Sequence, residues 1–124
     1  MNLDELKSRM QAMPGAVDCM PFGPDVIVYK VMDKMFSLVS WQDDPMRINL
    51  KCDPGLALMH REIYPAVIPG YHMNKKHWNT VVLDGTLDPL IIQDMINHSY
   101  ELVVKGLRKV DRLALQRKQT MEPL

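Results

Sequence analysis

The residues best suited to chemistry stand in one run of nine, Tyr71, His72, Met73, Asn74, Lys75, Lys76, His77, Trp78 and Asn79. The run gathers hydrogen-bond donors, two cations and aromatic rings. Lysine ammonium groups meet phosphates as point charges. Asparagine and histidine side chains reach base edges or sugar oxygens. The same residues also have an ordinary structural use: a strand tryptophan usually belongs to a core, and a Lys-Lys pair usually marks a solvated turn. A second basic segment lies further on. Between residues 105 and 118, Lys105, Arg108, Lys109, Arg112, Arg117 and Lys118 face Asp111 alone. Such a segment suits nucleic acid or an acidic partner. It is equally what a helix C-terminus accommodates, since cations there complement the helix dipole.

Other chemistries find little support. There is no GxSxG nucleophile elbow, no glycine-rich phosphate loop and no dinucleotide fingerprint. Cys19 follows Asp18, and neither a cation nor a histidine stands beside it to lower its thiol pKa. The carboxylates are dispersed, and no pair suggests a glycosidase or protease dyad. His60, His72, His77 and His98 supply at most two ligands at metal-binding spacing, where a metal needs three or four. No metal, no cofactor and no catalytic residue is therefore expected. Cys19 and Cys52, with no CxxC between them, read as reduced buried thiols. The 11 methionines are scattered and read as flexible filling.

The elements that must position these residues follow from period and punctuation. Residues 2–13 read as a helix, with Asn2 as cap, Glu5 completing a capping box and Leu3, Leu6, Met10 and Met13 on one stripe. Pro14-Gly15 ends it, and residues 16–24 read as loop. Strands are expected over 25–32 and 35–41, joined by a tight turn at Asp33-Lys34. Met46, Ile48, Leu50 and Cys52 alternate with Arg47, Asn49 and Lys51, a strand with one wet face. Asp53-Pro54 starts a helix that runs to about Ile63. Pro65 and Pro69-Gly70 exclude regular helix over 64–76, and Pro69-Gly70 suits a type II turn. A strand follows over 77–83. Asp88-Pro89 starts a last helix whose buried stripe is Ile92, Met95, Ile96, Ser99, Val103 and Leu107. Ser99 is expected to bond back to a carbonyl one turn earlier. The order α-β-β-β-α-β-α makes a two-layer α+β domain, an antiparallel sheet covered on one face by helices.

Whole-chain arithmetic sets the outer limits. The 124 residues fit a single domain, 47% of them hydrophobic and 24% charged, which argues against disorder. No apolar run approaches the about 20 residues that cross a bilayer. Residues 1–14 mix charge with apolar groups and are not a signal peptide, so a cytoplasmic, membrane-free and monomeric protein is expected. Fifteen basic residues balance fifteen acidic ones, which excludes long-range attraction to nucleic acid. By segment the balance breaks: residues 1–70 carry seven basic and nine acidic side chains, and residues 71–124 eight and six. A local basic face is therefore compatible with zero net charge.

The run YPAVIPGYHMNKKHWNTVVLDG, the later stretch His98-Ser99-Tyr100-Glu101-Leu102-Val103 and the upstream Lys51-Cys52-Asp53-Pro54 closely resemble the bacterial MmcQ/YjbR family. The resemblance covers nearly the whole chain to about Arg112, so residues 1–112 read as one domain and 113–124 as an extension or tail. It implies a CyaY-like (frataxin-like) fold, in agreement with the element order above. Family members are commonly described as DNA-binding proteins with a double-wing arrangement, on fold analogy more than on chemistry. No catalytic role carries over. Frataxin-type iron binding does not transfer either, since the first helix offers only Asp4 and Glu5 against Lys7 and Arg9. The resulting expectation is a small non-enzymatic DNA-binding protein. His72, Asn74, Lys75, Lys76, His77, Asn79, Lys105, Arg108, Lys109 and Arg112 are its candidate contacts. The alternative is a module for a small molecule or a protein partner, with Tyr71, His72 and Trp78 lining a pocket against the sheet.

Overall fold

The chain's longest apolar runs pair with one another. In the computed structural model, which describes residues 1–71 and 73–121, six strands form one antiparallel sheet. They are β1 (Ala16–Cys19), β2 (Val26–Val31), β3 (Lys34–Ser40), β4 (Arg47–Lys51), β5 (Val67–Pro69) and β6 (Trp78–Val82), in the spatial order β1-β2-β3-β4-β6-β5. Four helices accompany them: α1 (Leu3–Gln11), α2 (Pro54–Ile63), α3 (Pro89–Lys105) and α4 (Lys109–Met121).

The helix starts form as their cap residues dictate. The Asn2 side chain accepts from the Glu5 amide at 2.9 Å. Asp53 accepts from the Gly55 amide at 3.1 Å, and Asp88 from the Leu90 amide at 2.8 Å; Pro54 and Pro89 open α2 and α3. The β2–β3 turn is Met32-Asp33, with φ of 47° and 67°, one position earlier than the expected Asp33-Lys34. Two left-handed residues in a two-residue loop match the right-handed strand twist.

The helices cover one sheet face. On α3, Ile92, Met95, Ile96, Ser99, Tyr100 and Val103 are buried, and Leu107 follows them into the core. They meet Tyr29, Phe36, Val39, Ile48, Leu50 and Val81 of the sheet in the main hydrophobic cluster. Leu6 and Met10 of α1 and Leu115 of α4 belong to the same cluster. Phe36 and Tyr100 meet edge-on, with ring centroids 5.4 Å apart and planes at 90°. Residues 113–121 thus continue α4, and Leu115 ties that helix into the core.

Four local expectations are corrected. Residues 16–19 are a strand, because short β1 finds a full register on β2 (Ala16 to Val31, Cys19 to Val28). Residues 67–69 are a strand for the same reason, paired to β6. Both are four residues or fewer and punctuated by Pro or Gly, and pairing with a longer neighbour overrides weak local preference. Gly70 is not at a positive φ, so Pro69-Gly70 is no type II turn. Its backbone lies so close to β6 that a Cβ there would stand 2.8 Å from the Trp78 carbonyl. Ser99, finally, bonds across the layers. Its hydroxyl donates to the Phe36 carbonyl at 2.6 Å and accepts from the Lys51 amide at 2.8 Å, fastening α3 to β3 and β4.

Candidate functional site

Most of the polar run 71–79 is occupied in holding itself. The Asn74 side chain accepts from the Lys76 amide at 2.9 Å, and the Asn74 carbonyl accepts from the His77 and Trp78 amides. The Lys75 ammonium donates to the Gly70 carbonyl at 3.3 Å. Asn79 is 3% exposed. Its Oδ1 accepts from Arg61 Nε at 2.6 Å, and its amide nitrogen donates to the Ala57 carbonyl at 3.4 Å. Asn79 is therefore corrected from surface contact to internal brace. Arg61, absent from the candidate contacts, organises this region from α2. Its Nη2 also donates to the Lys75 carbonyl and to the Trp78 carbonyl at 3.3 Å. Lys76 is exposed and His77 half-buried; His72 lies outside the described residues.

The second basic segment sits elsewhere. Leu115 of α4 packs beside Gly15 and Val31, which places the helix at the β1–β2 side of the sheet. The run 71–79 enters β6, and β3 and β4 lie between β2 and β6. Lys105, Arg108, Lys109 and Arg112 are all exposed. Arg108 pairs with Asp111 at 3.1 Å. Lys34, Arg108 and Lys118 share a shallow depression with Asp33 and Asp111, so this patch is of mixed sign. The two basic stretches do not merge into one face.

The opposite face of the sheet is more informative. Strand register lines up Cys19, Val28, Leu38, Asn49, Thr80 and Ile68 across all six strands on that face. Val28, Leu38 and Trp78 form a second hydrophobic cluster there, with Val26, Met35, Met73 and Cys19 packed against it. Above it opens a cavity of about 350 Å³ lined by Phe22, Val26, Leu38, Ser40, Asp43, Asn49, Tyr71 and Met73. Of the three residues of the alternative pocket, Tyr71 lines this space and His72 lies outside the described residues. Trp78 does not line it; it lies in the cluster beside Leu38. Phe22 and Tyr71 are 63% and 61% exposed. Tyr71 is held by its backbone, its amide donating to Thr80 Oγ1 at 2.9 Å and its carbonyl accepting from Asn49 Nδ2 at 3.3 Å. Thr80 Oγ1 in turn donates to Asn49 Oδ1. The Trp41 indole donates to the Pro24 carbonyl at 2.9 Å, which joins the loops that carry Phe22 and Asp43. One signal of this face was present in the sequence: Val26-Ile27-Val28-Tyr29 and Leu38-Val39 are consecutive apolar runs, the pattern of strands covered on both faces.

On the helix side, Cys52, His60, Asn79 and His98 border a crevice of about 10 Å³, at the limit for one water. Burial, with Asp53 adding to it and Arg61 opposing, pushes the Cys52 thiol up to about 11. It is protonated at neutral pH and poorly suited to attack. Burial and the neighbouring His98 push the His60 pKa down, while His98 Nε2 accepts from the Asp53 amide at 3.2 Å. Among the described residues no group of three or more His, Cys, Asp or Glu could hold a metal ion.

Comparison with known proteins adds sequence and fold relatives. The YjbR family model matches residues 11–102. Uncharacterized protein YbdF of Escherichia coli O157:H7 is 46% identical over 94 residues, covering 76% of this chain and 77% of that protein. Uncharacterized protein YjbR of E. coli K12 is 33% identical over 115 residues, covering 93% and 98%. The crystal structure of Deinococcus radiodurans protein DR2400, with domain DUF419, superposes with a TM-score of 0.87 at 36% identity and covers 93% of this chain and 88% of that one. A solution NMR structure of a Pseudomonas syringae protein gives a TM-score of 0.69 at 30% identity, covering 82% and 92%.

Proposed function

This chain belongs to the YjbR family, and from that premise we propose that it is a non-enzymatic binding module for a small, largely apolar molecule, acting in the cytoplasm. The observation that carries this reading is the cavity of about 350 Å³ on the helix-free sheet face. Its size falls in the lower range of small-molecule sites, and its make-up follows their pattern: apolar floor, aromatic walls and a few fixed polar groups. Ser40, Asn49 and the backbone of Tyr71 supply the polar groups. No helix among the described residues is long and apolar enough to cross a membrane.

The test is a thermal-shift screen of small aromatic and aliphatic compounds, since a ligand specific for the folded state raises the melting temperature. Hits that lose their shift in Phe22→Ala and Tyr71→Ala support the site. Hits indifferent to both substitutions overturn it.

DNA binding is the second reading. It is favoured by the exposure of Lys75, Lys76, Lys105, Arg108, Lys109 and Arg112. Its contacts would be to phosphates, so affinity must fall steeply with salt. The Lys75→Ala/Lys76→Ala double variant should then reduce the salt slope by about one to two units. No binding at low salt, or a flat salt response, removes this reading.

A further inference from the structure

We propose that the outer edge of β1 is an interface for a second copy of this chain, whose own β1 adds antiparallel across a two-fold axis through Val17. The six strands of each copy then continue as one sheet of twelve. β1 and β5 are the two edge strands, and they differ in what they offer a partner. On β5, the Gly70 amide donates to the Trp78 carbonyl of β6 and the Ala66 carbonyl accepts from the Val82 amide. Val67 and Pro69 therefore face outward. The Val67 amide is spent on the Tyr64 carbonyl at 2.9 Å, and Pro69 has no amide. That edge has no donor to give. On β1 the outward residues are Ala16 and Asp18. The two-residue β2–β3 loop closes on Val31 and Lys34, which bond each other, so Lys30 and Val28 turn toward Val17 and Cys19. In agreement, the Ala16 amide donates not to β2 but to the Met13 carbonyl, at 3.0 Å. The edge thus presents the Asp18 amide as donor and the Ala16 carbonyl as acceptor, two residues apart.

This edge is complementary to itself. With Val17 opposite Val17 of the second copy, each Asp18 amide meets the other copy's Ala16 carbonyl. The register that sets Asp18 opposite Asp18 pairs like charges and is disfavoured. Val17 is 64% exposed and Met20 52%, and a β-branched pair across two strands gains from being covered. The charges match as well. Strand alternation sends the Asp18 side chain to the helix side, the side on which Ala16 packs against the main core. Across the axis it therefore reaches the other copy's depression beside Gly15. The two carboxylates lining that depression already meet cations, Asp33 with Lys30 at 3.7 Å and Asp111 with Arg108 at 3.1 Å. Lys34 and Lys118 line it too, so an incoming carboxylate finds complementary charge. Its volume of about 560 Å³ leaves room beside Val17 for a second strand.

The experiment is analytical ultracentrifugation of the full chain over a concentration series at neutral pH. A reversible monomer–dimer equilibrium is expected, and a weak one, because four-residue strands bury less than a standard interface of about 1,600 Å². Val17→Lys and Asp18→Pro should each weaken it about tenfold or more, since each change acts twice across the axis. Asp18→Pro removes an amide that faces away from β2, and an amide NMR map unchanged outside β1 checks that both variants fold. Isotope-filtered NOEs between labelled and unlabelled copies should join Val17 to Val17 of the other copy. A chain that stays monomeric up to about 1 mM overturns the proposal. So does a dimer that both variants retain at full strength. NOEs centred instead on Leu58, Met59 and Ile63, the exposed apolar residues of α2, overturn it as well.

Discussion

Arg61 is the residue whose loss should be felt furthest. One guanidinium holds Asn79 Oδ1 and the carbonyls of Lys75 and Trp78, so it joins α2 to β6 and to the polar run before it. Arg61→Ala should cost about 2–3 kcal/mol, because charged hydrogen bonds are lost and buried acceptors are left unpaired. Denaturant unfolding checks this, and a loss under 0.5 kcal/mol, the scale of an ordinary surface change, contradicts it. Phe22→Ala should by contrast change stability by no more than about 0.5 kcal/mol, since the ring is mostly solvated. His60 gives a pH signature. Its folded pKa lies below the ordinary 6.5, so the unfolded chain binds the proton more readily. Stability is then full above 6.5 and declines as pH falls below that value toward the folded pKa. Melting temperatures should drop across that window, and His60→Gln should flatten the drop. An identical profile in the variant contradicts it.

At the scale of elements, the helices were legible because their caps are explicit. Asn2, Asp53 and Asp88 each accept an amide of the first turn, as helix caps do. The α3 stripe was legible because a 3.6 period survives any packing detail. What escaped was pairing. Nothing within residues 16–19 or 67–69 announces a strand; each exists because a longer strand presents it a register. Ser99 escaped for a related reason, since its partners, Phe36 and Lys51, lie 63 and 48 positions away. Of the residues around the outer-face cavity, Tyr71 stood among the candidates, yet Phe22, Leu38, Asp43 and Asn49 did not, because strand order and the Trp41–Pro24 link bring them together. Ser99→Ala should cost about 1–3 kcal/mol by leaving a buried carbonyl and amide unpaired. Leu115→Ala should cost about 2–5 kcal/mol if α4 is part of the core, as its 3% exposure indicates. A change within about 0.5 kcal/mol would instead make α4 a dispensable appendage.

Over the whole molecule, the two sheet faces divide the work. One carries four helices and the main core. The other carries a smaller cluster of Val28, Leu38 and Trp78 with a cavity above it, walled in part by Tyr71 and Met73 of the polar run. The zero net charge also resolves by place. Asp43 lines the cavity, and the basic residues of α4 lie toward the β1–β2 side, mixed there with Asp33 and Asp111. The most direct test of the outer-face site is an amide NMR map of the full chain titrated with 1-naphthalenemethanol, a compact neutral probe. The largest shifts should fall on Phe22, Leu38, Asn49, Tyr71 and Met73, with α3 and α4 unmoved. Shifts centred on α3 and α4, or no shifts at all, would contradict it.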